Sequence, residues 1–440
     1  MQRRETRIRS DEEAAVAEDT LARTLRYRWL IFWILALGYV LVNFHRICTA
    51  VVAVDMMRDL AAGGTLVGIL GSAYFYPYAV MQLPAGLLAD SWGPRRTIAT
   101  FFTVAFAGSV LLGAAPSATW AIAGRVLVGI GVSMLFVPTM KVLAEWFRQS
   151  EFATMTGILM AMAGLGALTA AAPLAWMSGW IGWRLSFVAV GVATLALALL
   201  AWVFVRDRPS DLGWPAPQQG PSSSPGPISL SEGVRRVLTH PPFWPLAAWF
   251  FFECAVFFSF GGLWGGPYLM HVHGLDRGQA GQILSMSPLG MMIGSPLLSL
   301  ASNRLFCARK PVIILSSAIT MGLVAILAFR AGSISIPELY LVCVGLGMFS
   351  AAAVTIGFTT AKELFPVQIA GTAVGLVNLF PFSGGAVFQP VLGAILESHG
   401  RTGGGFTVAA YRASFLTLLG CAVIAFLTSF FLKETLVDAP

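Results

Sequence analysis

The chain has 440 residues, of which 57% are hydrophobic and 11% are charged, and its mean hydropathy is +0.76. A composition this apolar excludes a soluble globular protein, which needs a larger share of charged surface. The formal net charge is +7. Because the cations are scattered between apolar runs and form no basic patch, nucleic acid is not expected as a partner.

Apolar runs long enough to cross a bilayer recur along the whole chain. A hydrocarbon core of about 30 Å needs roughly 20 apolar residues per helix. Twelve runs meet this requirement, at residues 29–54, 65–88, 97–115, 119–145, 152–178, 184–205, 243–270, 278–301, 311–329, 337–361, 369–395 and 409–432. Without water to satisfy their backbone groups, these runs must be helices. The sequence therefore predicts an all-α membrane protein with twelve transmembrane helices.

Lysine and arginine concentrate in alternate connections between these helices. By the positive-inside rule, this asymmetry predicts that both termini are cytoplasmic. Residues 1–26 are polar, with no apolar core or cleavage site, and are predicted to be a cytoplasmic tail rather than a signal peptide. The five cysteines lie in predicted helices or on the cytoplasmic side, so no disulfide framework is implied. We expect a monomer in a bacterial inner membrane.

The first predicted helix carries a polar stripe. Tyr39, Asn43, Arg46 and Ala50 follow one another at spacings of three and four residues, so they share one helix face. A face toward lipid would not carry such groups, which predicts that the stripe lines a water-filled cavity and that Arg46 and Asn43 bind substrate. The alternative is an arginine near the membrane surface that extends to the headgroups.

A short loop joins the second and third predicted helices. It contains Gly86, Asp90, Gly93, Arg95 and Arg96: a small residue, an acid one turn later, a tight glycine turn, and two cations that open the next helix. This pattern resembles the signature loop of the major facilitator superfamily. The resemblance implies a secondary transporter with two six-helix bundles, in which this loop controls the conformational cycle. The alternative is a generic positively charged turn.

Two segments also resemble the anion:cation symporter branch of that superfamily. They are residues 43–52 in the first helix and residues 74–86 in the second. The resemblance implies that Arg46 holds the carboxylate of an organic anion, a task that suits the planar guanidinium fork. The branch usually has an acid where this chain has His45, so the resemblance leaves the usual proton site in doubt.

Arg125 lies in the fourth predicted helix, within a segment that resembles another motif of the superfamily. It could bind substrate, act as a structural cation or relay protons. The branch has a protonatable acid two turns further on, where this chain has Val132. Coupling by the usual mechanism of the branch is therefore not expected.

A proline- and serine-rich segment divides the chain into two halves. We predict an N-terminal bundle at 27–206, a cytoplasmic linker at 207–241, a C-terminal bundle at 242–433 and a short tail at 434–440. Residues 229–239 within the linker read as a short amphipathic helix. The halves repeat weakly, as parallel halves of this superfamily do.

Glu253 is the one acid in the interior of a predicted helix. An ionisable group there is costly and marks a candidate site for proton coupling, with His45 as the second candidate. The alternative is a buried ion pair with Arg125 or Arg46.

Tyr78 and Asn378 are the remaining predicted ligands of the substrate, although such side chains more often join helices. His271 and His273 lie two residues apart, but isolated surface histidines are commoner than metal sites. No phosphate-binding loop or catalytic constellation is present, so no enzyme activity, cofactor or metal is expected.

The sequence thus predicts a secondary active transporter that works by alternating access. The expected cargo is a small organic anion imported with a proton. The alternatives are export of an amphipathic or drug-like compound and, from a different class, a membrane sensor or assembly factor.

Overall fold

The structure is a computed structural model that describes residues 2–215, 230–402 and 405–436. Residues 216–229 of the predicted linker and 437–440 of the predicted C-terminal tail lie outside the described residues. The described chain is almost entirely helical. One two-residue hairpin, Arg401–Thr402 with Gly405–Phe406, lies between the last two long helices.

Several membrane spans of the first half are built from two helical pieces. The helices are Gln2–Ile47, Ala53–Asp59, Gly64–Ser72, Phe75–Ser91, Pro94–Ala114, Ala118–Ser133, Phe136–Trp146, Gln149–Thr169 and Ala172–Phe204. We number the spans in chain order: span 1 is Gln2–Ile47, span 2 is Gly64–Ser72 with Phe75–Ser91, and span 3 is Pro94–Ala114. Ala118–Ser133 and Phe136–Trp146 likewise form span 4.

Spans 5 and 6 run together through one continuous stretch of helix. Gly182 interrupts Ala172–Phe204 with a φ of 77°, a left-handed value that glycine adopts without strain. Span 5 is therefore Gln149–Thr169 continued to residue 181, and span 6 begins after Gly182. The predicted boundary between these spans is confirmed, and the predicted loop is reduced to one glycine.

The second half repeats this arrangement. A short 3-10 turn, Pro209–Leu212, and the helix Leu230–Leu238 precede it. Its helices are Phe243–Ser259, Phe260–Trp264, Gly265–His273, Arg277–Leu300, Ala301–Leu305, Lys310–Phe329, Ile336–Gly345, Leu346–Ala351, Ala353–Glu363, Val367–Val377, Leu379–Ser398 and Val408–Ser429. These form span 7 (Phe243–His273), span 8 (Arg277–Leu305), span 9 (Lys310–Phe329), span 10 (Ile336–Glu363), span 11 (Val367–Val377 with Leu379–Ser398) and span 12 (Val408–Ser429). Three of the short pieces are π-helical: Phe260–Trp264, Ala301–Leu305 and Leu346–Ala351. Over the described residues, ten helices are long and apolar enough to cross a membrane, or eleven when the bent pair of span 2 counts as one. Span 5, which Gly182 separates from span 6, is the twelfth, so the predicted twelve-helix architecture is confirmed.

An even number of spans places the start of span 1 and the end of span 12 on one side, which we call the terminal side. The first helix begins at Gln2, well before the apolar run predicted from residue 29. It ends at Ile47, and the predicted run to residue 54 continues instead through a turn into Ala53–Asp59 on the opposite, far side. The predicted amphipathic helix is present as Leu230–Leu238, with Val237 fully buried.

The two halves are in close contact on the far side. A Cβ added to Gly393 of span 11 would overlap the carbonyl oxygen of Gly64 in span 2. A Cβ on Gly266 of span 7 would overlap the carbonyl oxygen of Ala50. Asp55 forms a short ion pair with Arg277 across the same interface. Backbones this close leave no passage on the far side.

The same spans separate toward the terminal side. Cβ atoms added to Gly86 of span 2 and to Gly371 and Gly375 of span 11 would meet nothing within 4 Å. A Cβ added to Gly157 of span 5 would also meet open space, whereas Gly281 of span 8 abuts span 5 on the far side. The structure is therefore closed on the far side and open on the terminal side.

Candidate substrate-binding site

Arg46 lies where the first half meets the second. Its Nη1 donates to Oδ1 of Asn43 at 3.0 Å, and its Nη2 donates to the hydroxyl of Tyr78 at 3.1 Å. The Asn43 amide is itself oriented, because its Nδ2 donates to the carbonyl of Tyr39 at 2.9 Å. The predicted stripe thus fixes the guanidinium in one orientation.

Two aromatic rings flank this guanidinium. Its Cζ lies 4.9 Å from the ring centroid of Phe382 in span 11 and 5.2 Å from that of Tyr78 in span 2. The two rings contact each other at 4.6 Å between centroids. Phe75 and Phe258 extend the cluster across the interface at 5.1 Å. Such rings stabilise a partly desolvated cation by about 0.5–2 kcal/mol.

The charge of Arg46 is not neutralised by any acid among the described residues. Its partners are an amide and a phenol, and no carboxylate lies within ion-pair distance of it in the described chain. Its Nε is buried and has no hydrogen-bond partner among the described residues. A cation held in this way, with a free N–H, is suited to binding an anion that enters from the open side.

Phe382 was not identified from the sequence. An aromatic residue in an apolar helix gives no signal of its own, and only the packing of span 11 against spans 1 and 2 brings it to Arg46. Asn378, which was predicted, lies one turn from Phe382 at the break between Val367–Val377 and Leu379–Ser398. It is half-buried, on the same side of span 11 as Phe382.

Arg125 does not join this site directly. It is fully buried in span 4, and its Nη1 donates to the carbonyl of His45 at 2.8 Å. Its Cζ lies 5.1 Å from the ring centroid of Tyr74, which covers it. Arg125 thus supports the backbone of span 1 one residue before Arg46.

His45 points away from Arg46 into the first half. It is 1% exposed, and its Nε2 lies 3.4 Å from the hydroxyl of Thr194 in span 6. Neighbouring residues in span 1 therefore face different surroundings, with Arg46 at the interface and His45 in the bundle interior.

Glu253 is also buried in a bundle interior, that of the second half. Its side chain is 0% exposed, and neither carboxylate oxygen has a hydrogen-bond partner among the described residues. The structure contains no ion pair between Glu253 and Arg46 or Arg125 in the described chain, so the ion-pair alternative is not supported.

The signature loop makes two sets of contacts on the terminal side. Asp90 pairs with Lys141 of span 4 at 2.7 Å. Gly93 has a φ of 89° and brings the start of span 3 against Asp207, whose Oδ1 accepts from the backbone N–H of Arg95 at 2.7 Å. A carboxylate at a helix N-terminus satisfies a free N–H and is favoured by the helix dipole.

The remaining residues of the signature loop lie around this glycine turn. The Nε of Arg95 donates to the carbonyl of Trp202 at 2.7 Å, and the guanidinium lies over the Trp202 ring. Arg96 is exposed, and a Cβ added to Gly86 would meet nothing within 4 Å. Asp207 and Trp202 were not predicted as partners, because they are more than a hundred residues distant in sequence.

The second half repeats this cap with other residues. Glu434 accepts from the backbone N–H groups of Arg309 at 2.8 Å and Lys310 at 3.0 Å at the start of span 9. Partial burial raises the pKa of Glu434, but the backbone N–H donors outweigh it and the pKa lies below its ordinary value. Arg309 also forms an ion pair with Glu363 at 3.0 Å. The weak sequence repeat thus corresponds to equivalent contacts.

No group of three or more His, Cys, Asp or Glu side chains within the described residues could hold a metal ion. His271 and His273 instead lie 3.0 Å from the hydroxyls of Tyr411 and Tyr268.

Twelve spans in two similar halves, with the charged and aromatic site of Arg46 between them, are the architecture of a membrane transport protein. Residues 35–266 and 254–439 match the family model described as Major Facilitator Superfamily. The chain belongs to this superfamily, whose members are transporters and not enzymes.

Curated relatives align along nearly the whole chain. The "Probable sulfoacetate transporter SauU" of Cupriavidus necator is 24% identical over 440 residues, which cover 96% of this chain and 97% of the relative. The "Hexuronate transporter" of Bacillus subtilis is 23% identical over 410 residues, which cover 89% of this chain and 93% of the relative.

Solved structures share the fold. A bacterial homologue of the human lysosomal transporter Spinster, in an inward-facing and unoccupied conformation, gives a TM-score of 0.74 at 20% identity, covering 92% of this chain and 98% of that one. A mutant of the nucleoside transporter NupG gives a TM-score of 0.71 at 14% identity, covering 91% of this chain and 100% of that one.

Proposed function

We propose that this protein is a secondary active transporter of a small organic anion and that Arg46 binds the anionic group. The observation that carries the proposal is the fixed guanidinium of Arg46, which has two neutral partners and no carboxylate within reach among the described residues. An anion that binds there gains a charge-assisted hydrogen bond from Nε and neutralises a partly buried charge.

The names of the curated relatives support the same class of cargo. Sulfoacetate and hexuronate, the substrates in the names of two relatives, are organic anions. Each carries a carboxylate or sulfonate group, which a guanidinium binds through charge-assisted hydrogen bonds. Asn43 and Tyr78 orient the guanidinium, Arg125 supports it through span 1, and Asn378 offers an amide one turn from Phe382.

Transport proceeds by alternating access in this proposal. The rocking bodies are residues 27–206 and 242–433, joined by the linker 207–241. The terminal side is cytoplasmic, by the distribution of lysine and arginine, so the open side faces the cytoplasm of a bacterial inner membrane. The substrate then enters from the far side after the contacts between spans 2 and 11 open.

Import is coupled to a proton in this proposal. Glu253 is the first candidate for the proton site and His45 the second, since both are ionisable, fully buried and free of an ion-pair partner among the described residues. The site at Arg46 is separate from both, and the protein works as a monomer.

The test is uptake of labelled carboxylates and sulfonates into proteoliposomes under an imposed pH gradient. We expect Arg46→Ala to abolish saturable uptake and Arg46→Lys to restore only part of it, because an ammonium lacks the planar fork. Arg412→Ala is the matched control, since Arg412 is exposed at the start of span 12. Normal uptake by Arg46→Ala protein would overturn the proposal.

Export of an amphipathic compound is the second candidate function, favoured by the rings of Phe75, Tyr78, Phe258 and Phe382 at the interface. A thermal-shift panel of purified protein separates the two. Stabilisation by carboxylates and sulfonates supports the anion transporter, whereas stabilisation by cationic amphiphiles alone supports the exporter.

A further inference from the structure

Glu253 lies in a pocket of hydroxyl groups. The side chains that face it are Ser317 and Thr320 of span 9 and Ser350 of span 10. The hydroxyl of Thr320 is buried and, like the Glu253 carboxylate, has no hydrogen-bond partner among the described residues. Ser317 is positioned by the indole of Trp249, whose Nε1 donates to it at 2.8 Å.

The helix that carries Ser350 is locally widened. Ser350 lies in the π-helical piece Leu346–Ala351, and its hydroxyl donates to the carbonyl of Glu253 at 3.4 Å. Single π-helical turns interrupt the regular backbone ladder and are frequent at functional sites. Span 10 therefore departs from regular geometry at the level of this carboxylate.

No positive side chain balances Glu253 in the described part of the second half. Spans 9, 10, 11 and 12 carry their charged residues only near their ends. Cys254, next to Glu253 in the chain, is a buried thiol, and its other charged neighbour is Arg46 of the first half. Removing a lone ionised carboxylate from water is costly, so a buried acid without a partner must bind a cation or stay protonated.

We propose that Glu253, Ser317, Thr320 and Ser350 form a binding site for a monovalent cation, either a proton or Na⁺, inside the second half. The ligands are a carboxylate and hydroxyl oxygens, which are hard donors. A proton on Glu253 would complete the site by donating to one of the hydroxyls. A sodium ion would be held by carboxylate and hydroxyl oxygens together.

This site differs from the anion site in position and in partners. Glu253 contacts spans 9 and 10, whereas Arg46 contacts spans 2 and 11. A cation at Glu253 would thus change the packing of spans 7, 9 and 10 rather than compete for Arg46. That coupling role rests on the proposed transport function, but cation binding itself does not.

The experiment measures the melting temperature of the purified full-length protein without substrate. Sodium chloride is compared with N-methyl-D-glucamine chloride at matched ionic strength, over a series of pH values. If Na⁺ is the ligand, sodium raises the melting temperature of the parent by about 2 °C or more. If a proton is the ligand, the melting temperature falls as the pH rises, with no effect of sodium.

Glu253→Gln keeps the shape of the side chain and removes its charge. It should therefore abolish the dependence of the melting temperature on sodium or on pH, whichever the parent shows. Thr320→Val should weaken that dependence. Thr417→Val is its matched control, because the Thr417 hydroxyl donates to the carbonyl of Ala413 within its own helix. If Glu253→Gln protein does not fold, the melting temperatures of the Thr320→Val variant and its control decide whether the site exists. A parent that responds to neither sodium nor pH, or a response that the variants leave unchanged, would overturn the proposal. Because no substrate is present, loss of uptake in Arg46→Ala protein is an independent result.

Discussion

The hydroxyl of Tyr78 holds one edge of the Arg46 guanidinium, while its ring packs against Phe382. Tyr78→Phe would remove the hydroxyl and keep the ring. A hydrogen bond to a charged group contributes about 1.5–3 kcal/mol, so we expect the affinity for the anion to fall by about tenfold. The measurement is the concentration dependence of uptake or of thermal stabilisation.

Tyr340→Phe is the matched control for this variant, because Tyr340 lies in span 10, away from Arg46. If Tyr78→Phe protein binds the anion as tightly as the parent, the hydroxyl does not position Arg46. A loss of maximal rate with unchanged affinity would assign Tyr78 to the conformational cycle instead.

At the scale of single elements, the starts of spans 3 and 9 are fixed by acids from the ends of spans 6 and 12. Asp207 and Glu434 each accept from backbone N–H groups at a helix start. Each acid therefore ties the last helix of its half to the third helix of that half. The signature loop is thus held by this cap in addition to the pair between Asp90 and Lys141.

Glu434→Gln should lower the stability of the protein by about 1 kcal/mol at neutral pH, as expected for loss of a helix cap. The pKa of Glu434 lies below its ordinary value in the folded protein. Its stabilisation is therefore present above the ordinary glutamate pKa and is lost as the pH falls through the lowered value.

Melting temperatures of parent and Glu434→Gln protein, measured from neutral to acid pH, check this expectation. The difference between them should shrink as Glu434 of the parent becomes protonated. A constant difference across the series would mean that the charge of Glu434 is not what stabilises the helix start.

At the scale of the whole molecule, the two halves meet on the far side through backbones in contact. Gly393→Leu would place a side chain where the carbonyl of Gly64 now lies. We expect this variant to lose transport and to open on the far side. Gly420→Leu is the matched control, because a Cβ there meets nothing within 4 Å.

The measurement is labelling of a cysteine introduced at Ala171, which lines a small apolar cavity between spans 1, 5, 7 and 8. Cys307, the exposed native cysteine, is first replaced by serine. A membrane-impermeant thiol reagent applied to the far side should label the Gly393→Leu protein faster than the control. Equal labelling of two folded variants would contradict closure through Gly393.

The number of spans, the division into halves and the candidate charges could be predicted from the sequence. Bilayer thickness fixes the length of an apolar helix, and an ionisable residue within one is rare enough to be conspicuous. The stripe of Asn43 and Arg46 was recognisable because helical periodicity puts both residues on one face.

Other properties depend on which helices pack together, and only the tertiary structure decided them. From the sequence alone, Glu253 and Arg46 look alike, because each is an ionisable residue within an apolar helix. The fold separates them, because span 7 turns Glu253 toward the hydroxyls of spans 9 and 10 while span 1 turns Arg46 toward Phe382. Asp207 and Glu434 likewise acquire their roles from helix ends that lie far apart along the chain. Local sequence fixes where a helix runs and which face is polar, but the partner of that face is set by long-range packing.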